Sequence, residues 1–287
     1  MARTIVITGA SDGIGAAAAK MLAYPGDQLV VVGRSPQKTK AIAAELEAEP
    51  FITDFADLAQ VRELADSLAK KYPRIDVLAN NAGGIMAGRE LTVDGHEKTF
   101  QVNHLAPFLL TTLLIDRLVA SRATVINTSS NANRIMAKFD IDDLDAEKKY
   151  SANAAYGNAK LANILFTREL QRRYGDHGIS AAAFHPGVVA SGFSAESNRI
   201  TKLMYGTLAR RFMISPAQGA DTLVWLATTV PGEDWTPGEY YAKRKVAKAN
   251  PRAYRADLAE SLWEQSAAMV AAQAPPADAA QPTLPPL

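Results

Sequence analysis

Six apolar runs recur along the chain, each followed by a stretch of helical pattern, and none alternates with polar residues. They lie at 3–8 (RTIVIT), 28–33 (QLVVVG), a short one at Ile52, 75–79 (IDVLA), 123–128 (ATVINT) and 179–184 (ISAAAF). A strand without polar alternation is covered on both faces, which is the condition of a parallel sheet. Such strands separated by helices imply a doubly wound α/β fold. The intervening patterns predict helices over 13–23, 36–48, 56–70 and 154–174. A long helical region over about 94–120 is expected to be interrupted at Pro107, and a seventh strand is expected at 238–241. No repeat or linker divides the chain, so residues 1–270 are expected to form one domain. The tail, 271–287, is Ala, Pro and Gln with little aliphatic bulk, and is expected to be flexible.

Charge and composition exclude several classes. Lys and Arg number 31 against 30 Asp and Glu, so a net charge of +1 gives no case for nucleic acid. With no Cys, disulfides, thiolate metal sites and Cys nucleophiles are excluded. The four histidines, His96, His104, His177 and His185, show no ligand spacing, so no metal is expected. No apolar run reaches the ~18 residues a membrane span needs. Met1 to Thr8 leads straight into a strand, with no separate apolar leader, so a cytoplasmic location is expected.

Strand one ends in Thr8-Gly9-Ala10-Ser11-Asp12-Gly13-Ile14-Gly15. A glycine turn between a strand and a helix N-terminus can cradle pyrophosphate with backbone N–H groups. The absence of Lys-Ser/Thr after Gly15 separates it from a P-loop. A plain structural turn is one alternative. The other is a nucleophile elbow, because Gly9 to Gly13 also reads G-x-S-x-G around Ser11. An elbow needs an earlier strand to supply its oxyanion loop, and none precedes it here.

Tyr156 and Lys160 stand four residues apart on one helix face, after a strand ending in Ser129-Ser130. In a parallel sheet, ligands sit at the carboxyl ends of the strands. A free Tyr titrates near 10, and bringing it near pH 7 costs about 4 kcal/mol. One positive charge about 4 Å away, at an effective dielectric of about 20, supplies roughly that. Tyr156 could then exchange the proton of a carbonyl/alcohol couple while a serine hydroxyl polarises the oxygen.

Together these residues resemble the short-chain dehydrogenase/reductase family. The resemblance rests on Thr8 to Gly15, Asn80-Asn81-Ala82-Gly83, Asn103, the pair Tyr156 and Lys160, and Pro186-Gly187. It implies a single-domain Rossmann fold of about seven strands and hydride transfer between nicotinamide and a carbonyl or alcohol. It further implies Tyr156 as acid/base, Lys160 as its electrostatic partner and ribose ligand, and Ser130 on the substrate oxygen, with Ser129 as runner-up. Asn103 would hold a water linking Lys160 to bulk. The implied cofactor contacts are Gly9, Ser11, Asp12, Gly13, Ile14, Gly15, Arg34, Asp54, Asn81, Ala82, Gly83, Pro186, Gly187, Val189 and Ser191. The family's usual Thr is replaced by Ser191, which keeps the hydroxyl. Ser130 and Tyr156 are 26 residues apart, with residues 138–151 inserted. That interval, and Lys160-Leu161-Ala162-Asn163, look like the retinol dehydrogenase, WW-domain oxidoreductase and protochlorophyllide reductase branch, which implies a bulky apolar substrate. A substrate lid is expected around 192–214, where apolar residues at helical spacing fit core packing equally well. A homo-oligomer is left open. A cofactor sensor without chemistry is the alternative function, and a serine hydrolase using Ser11 a weaker one.

NADP(H) is favoured and NAD(H) left open. Strand two ends Gly33-Arg34-Ser35, without the acid that would bond a ribose 2′-OH. Gly33 is expected to leave room for a phosphate and Arg34 to bind it. Asp12 argues the other way unless it turns aside or caps the helix.

Overall fold

The computed structural model describes residues 2–187 and 214–271. Strand β1 (Thr4–Thr8) leads into α1 (Gly13–Leu22), followed by β2 (Gln28–Gly33), α2 (Pro36–Leu46), β3 (Glu49–Ile52), α3 (Leu58–Lys71) and β4 (Val77–Asn80). Helix α4 joins Lys98–Phe100, a π-helical turn Gln101–Leu105 and Ala106–Leu113. Next come α5 (Ile115–Ser121), β5 (Thr124–Thr128), α6 (Ala132–Ile135), α7 (Ala152–Tyr174) and β6 (Ser180–Phe184). After residue 213 follow α8 (Pro216–Thr228), β7 (Tyr240–Ala242), β8 (Lys245–Val246), a 3₁₀ turn Pro251–Tyr254 and α9 (Ala256–Ala271).

The sheet order is β3-β2-β1-β4-β5-β6-β7-β8. Every pair from β3 to β7 is parallel, as the apolar runs imply, and β8 pairs antiparallel with β7. The sheet therefore has eight strands, not about seven. The extra strand comes from a hairpin whose two central residues, Lys243 and Arg244, both take left-handed φ, 51° and 59°. Such turns ordinarily announce themselves by Asn or Gly, and Lys-Arg carries no such signal.

Alternate strand residues feed two cores. Val6, Val30, Val32, Leu78 and Val125 pack with residues of α3, α4, α7 and α9. Ile5, Ile7, Val31, Ala79 and Ile126 pack with α1, α2 and α8. Chain direction reverses its winding between β1 and β4, and that switch point opens a crevice at the strands' carboxyl ends.

Caps set the helix boundaries. Asp57 accepts from the N–H groups of Ala59 and Gln60, so α3 begins at Leu58 rather than 56. Ser151 accepts from the Ala154 N–H and starts α7 at Ala152. Pro107 does not interrupt α4. It falls in the first turn after the π-helical turn, and the break comes at Leu114, with a 65° bend. A helical Pro deprives the carbonyl four residues back of its donor. That carbonyl belongs to Asn103, and Asn163 Nδ2 on α7 donates to it at 3.0 Å.

Helix α9 lies across α4 and α7, with Trp263 against Phe108, Phe166 and Tyr174. No single helix among the described residues is long and apolar enough to cross a membrane. The expected lid, 192–214, and tail, 271–287, lie outside the described residues except for Ile214 and Ala271.

Candidate active site

The glycine loop is held by close backbone approach. Gly9 has φ +64°, and a Cβ there would stand 2.7 Å from Ala82 Cα. A Cβ on Gly15 would stand 2.2 Å from the Gly9 carbonyl oxygen. Thr8 Oγ1 accepts from the Asn81 and Ala82 N–H groups, each at 3.0 Å. Asn81 Nδ2 donates to the carbonyls of Thr8 and Gly9 at 3.0 and 3.3 Å. Thr8 and Asn81 thus lace the loop to the tip of β4. At Gly83 a Cβ would fall 2.4 Å from Asn103 Oδ1 and 3.1 Å from Lys160 Nζ. The backbone of β4's tip therefore approaches Lys160 with no side chain between them. This bare, backbone-lined floor beside the α1 N-terminus fits a dinucleotide.

Asp12 caps α1, accepting from the Gly13 N–H at 2.7 Å. Its other oxygen takes Lys38 Nζ at 2.7 Å. The Lys38 bond, helped by Gly13, holds the carboxyl below its ordinary range. The charge is therefore spent on the helix and on α2. Ile14 follows, half-buried, and Arg34 stands exposed at the tip of β2. The position a Cβ of Gly33 would take is filled by neighbouring side chains, so the backbone must be bare there. A Cβ there would meet Thr39 Oγ1 at 2.5 Å and Ser11 Oγ at 2.9 Å. Asp54, at the tip of β3, closes a turn by accepting from the Ala56 N–H at 3.0 Å.

Helix α7 brings Lys160 under the tip of β5. The residue is 2% exposed, and its ammonium donates to the Thr128 carbonyl at 3.1 Å. It lies 5.5 Å from the centroid of the buried Tyr156 ring. Burial lowers the Lys160 pKa to about 7. The two serines separate cleanly. Ser129 is buried, its hydroxyl donating to the Lys160 carbonyl at 2.7 Å, and its N–H bonds Phe184 O. Ser130 is half-buried, and its Oγ accepts from the Ala132 N–H at 3.2 Å.

Asn103 is fully buried and its side chain is spent on the β4 loop. Oδ1 accepts from the Gly84 N–H at 3.1 Å, while Nδ2 donates to Gly84 O and Thr99 O at 2.8 and 2.7 Å. Asn163 continues the network. Its Nδ2 reaches both Asn103 O and Thr128 O, and its Oδ1 faces His104 Nδ1 at 3.3 Å. Gly187, with φ +89°, donates its N–H to His185 Nδ1 at 3.0 Å, just after Pro186. Val189 and Ser191 lie outside the described residues.

Sequence reasoning passed over Lys38, Asn133, Asn163 and Gly157. For Gly157 a signal existed, because a glycine inside a helix marks close backbone approach. A Cβ there would meet the Ala137 nitrogen at 2.6 Å, so the backbone of Met136 and Ala137, just after α6, crosses α7 beside Tyr156. The histidines are engaged elsewhere: His96 with Asp145, His104 with Ser266, His177 against Tyr174 and His185 with Gly187. Among the described residues, that leaves Ser11 without the imidazole base a hydrolase needs.

The family model for short chain dehydrogenases matches residues 3–201. A Streptomyces sp. (strain C5) protein named as a daunorubicin C-13 ketoreductase is 43% identical over 281 residues, covering 93% of this chain and 92% of its own. Retinol dehydrogenase 12 of Mus musculus is 37% identical over 281 residues, covering 94% and 87%. The crystal structure of a Mycobacterium paratuberculosis protein, 32% identical, superposes with a TM-score of 0.75 over 94% of this chain and 93% of that one. The chain belongs to the short-chain dehydrogenase/reductase family, as an NAD(P)-dependent oxidoreductase.

Proposed function

We propose that this oxidoreductase interconverts a carbonyl and an alcohol on a bulky, largely apolar substrate and prefers NADP(H). The observation that carries the reading is the buried Lys160 ammonium, 5.5 Å from the Tyr156 ring centroid and bonded to the Thr128 carbonyl, two residues before Ser130 at the tip of β5. The two named relatives act, by their names, on a daunorubicin C-13 ketone and on retinol. Both are bulky molecules with large apolar surfaces.

The glycine loop with Ser11 and the α1 N-terminus would hold the pyrophosphate, Arg34 the 2′-phosphate, Asp54 the adenine, and Asn81–Gly83 with Pro186 and Gly187 the nicotinamide half. The nicotinamide, when bound, supplies or takes the hydride. Ser130 keeps its proton and donates a hydrogen bond from its hydroxyl to the substrate oxygen, a role compatible with the Oγ accepting from Ala132. Tyr156 gives its phenolic proton to that oxygen during reduction and takes it back during oxidation. Lys160 stabilises the phenolate that forms and bonds the ribose. Asn103 acts at one remove, by fixing the Gly83–Gly84 backbone against Lys160.

The test is purified protein with NADPH and a panel of apolar ketones, aldehydes and quinones, followed at the nicotinamide absorbance. Turnover of at least one panel member is expected. Tight cofactor binding without any turnover would identify a sensor instead.

A further inference from the structure

Asn133 is fully buried, one turn beyond Ser130 in α6, and every polar group it carries is engaged. Its Nδ2 donates to the Ser130 carbonyl at 2.6 Å and to the Tyr240 hydroxyl at 3.2 Å. Its backbone N–H also reaches Ser130 O, at 3.1 Å. Its Oδ1 accepts from the Asn250 N–H at 2.8 Å, and its carbonyl accepts from Asn250 Nδ2 at 3.0 Å. Tyr240 is itself buried on β7, its ring centroid 6.0 Å from that of His185. Three pieces of chain thus meet on one residue: the turn from β5 into α6, β7 and the segment entering the 3₁₀ turn.

Helix α6 has four residues, too few to hold its own geometry in water. The position of Ser130 therefore depends on what fastens this turn. We propose that Asn133 is the positioning residue of Ser130, fixing the serine's backbone against β7 and Asn250 so that its hydroxyl meets the substrate oxygen. The inference rests on the reading of Ser130 as the residue that holds that oxygen. Nothing else in α6 can replace it. Arg134 and Ile135 are exposed, and Ala132 has no polar side chain, its N–H given to Ser130 Oγ and its carbonyl accepting from the Met136 N–H. A residue that acts through Ser130 leaves a distinct energetic signature, because its loss cannot be felt once the hydroxyl is gone.

The experiment is a double-mutant cycle on the holoenzyme, read on the panel carbonyl that the parent turns over fastest. Asn133→Leu is close in size and removes all side-chain hydrogen bonds. It should lower kcat about tenfold to a hundredfold, the scale of a small misplacement of a catalytic group. NADPH affinity should stay near the parent's. In the Ser130→Ala background the same substitution should cause no further loss of kcat. Tyr240→Phe keeps the ring and removes one partner of Nδ2. It should give a smaller loss that also vanishes without Ser130, and it decides the matter if Asn133→Leu does not fold. Equal losses in both backgrounds, or parental kcat in the Asn133 and Tyr240 variants beside a crippled Ser130→Ala, overturn the positioning role. A Ser130→Ala enzyme with parental kcat, or a parent that turns over no panel member, overturns the underlying reading of the site instead.

Discussion

Replacing Tyr156 by Phe deletes one proton donor and almost no contact area. Turnover should fall about 10²- to 10⁴-fold, the usual worth of a general acid/base, while NADPH binding measured by fluorescence stays near the parent's. A Tyr156→Phe enzyme at the parental rate would sink the proton assignment. Lys160 adds a pH dependence with a fixed sign. In the cofactor-free protein burial lowers it to about 7. A ribose hydroxyl accepting from the ammonium, with phosphates nearby, favours the charged form and raises that value. Between the two values the complex holds a proton that the free protein does not. NADPH binding should therefore take up protons above pH ~7 and weaken as pH rises. Calorimetry in two buffers of different ionisation enthalpy measures the uptake, and Lys160→Met should abolish it. At the adenosine end, Asp12 is already paired with Lys38, so its charge opposes a phosphate less than the sequence alone suggests. Arg34→Ala should weaken NADPH about tenfold to a hundredfold, the worth of charge-assisted bonds to one phosphate, and leave NADH unchanged. Equal parental affinities for NADH and NADPH would remove the basis for that assignment. Tyr156, Lys160 and the loop glycines are legible in the sequence because each position admits one residue type for its chemistry or its backbone. Lys38, Asn133 and Asn163 are not, because a Lys or Asn in a helix ordinarily faces water. Only the packing reveals that these asparagines are buried and what they hold.

Among the elements, β1, β2, β4, β5 and β6 are legible to within a residue or two because unbroken apolar runs define them, whereas the short β8 is not. Helix α4 is the instructive departure. A Pro in a helical pattern reads as a break, but the π-helical turn before it and Asn163 from α7 together absorb the lost bond. That compensation comes from a residue 60 positions away and leaves no local trace. Asn163 is consequently structural in two directions. Its amide serves two buried carbonyls, Asn103 and Thr128, and Thr128 O is also the acceptor of Lys160. Asn163→Leu would orphan one side of that network, at about 1–3 kcal/mol for each buried group left unsatisfied. Thermal unfolding should show a loss of several degrees. Asn163→Asp retains an acceptor for His104 but not the amide donors, so it should recover little. A variant as stable as the parent would mean that water or a relaxed backbone serves those carbonyls.

For the molecule as a whole, α9 is the clasp. No helix is expected there from the sequence, and the partners of α9 lie on α4 and α7, far away in the chain. Trp263 packs on both, and two histidines bind α9 with opposite electrostatics. His96 bonds Asp145 Oδ2 at 3.1 Å and the Met269 carbonyl at 3.3 Å, and the Asp145 carboxylate raises its pKa. Its contribution is complete below the unfolded value of about 6.5 and is lost as pH rises through the higher folded value. His104 is wholly buried and bonds Ser266 Oγ at 2.9 Å through Nε2. Both amide hydrogens of Asn163 serve carbonyls, so its Oδ1 must accept from His104 Nδ1–H, which leaves Nε2 to accept from Ser266. That tautomer is neutral, and burial drives the pKa down to about 4. Between about 6.5 and 4 the unfolded chain binds a proton that the folded one refuses, so stability falls as pH falls across that window. Urea midpoints measured from pH 6.5 down to 5 should decline in the parent. His104→Leu should be less stable throughout, because Ser266 and the Asn163 Oδ1 lose their partner. Its decline with falling pH should nevertheless be shallower, because the group that must take the proton is gone. A variant with the parental slope would place the acid sensitivity elsewhere, on carboxylates rather than on this histidine beneath α9.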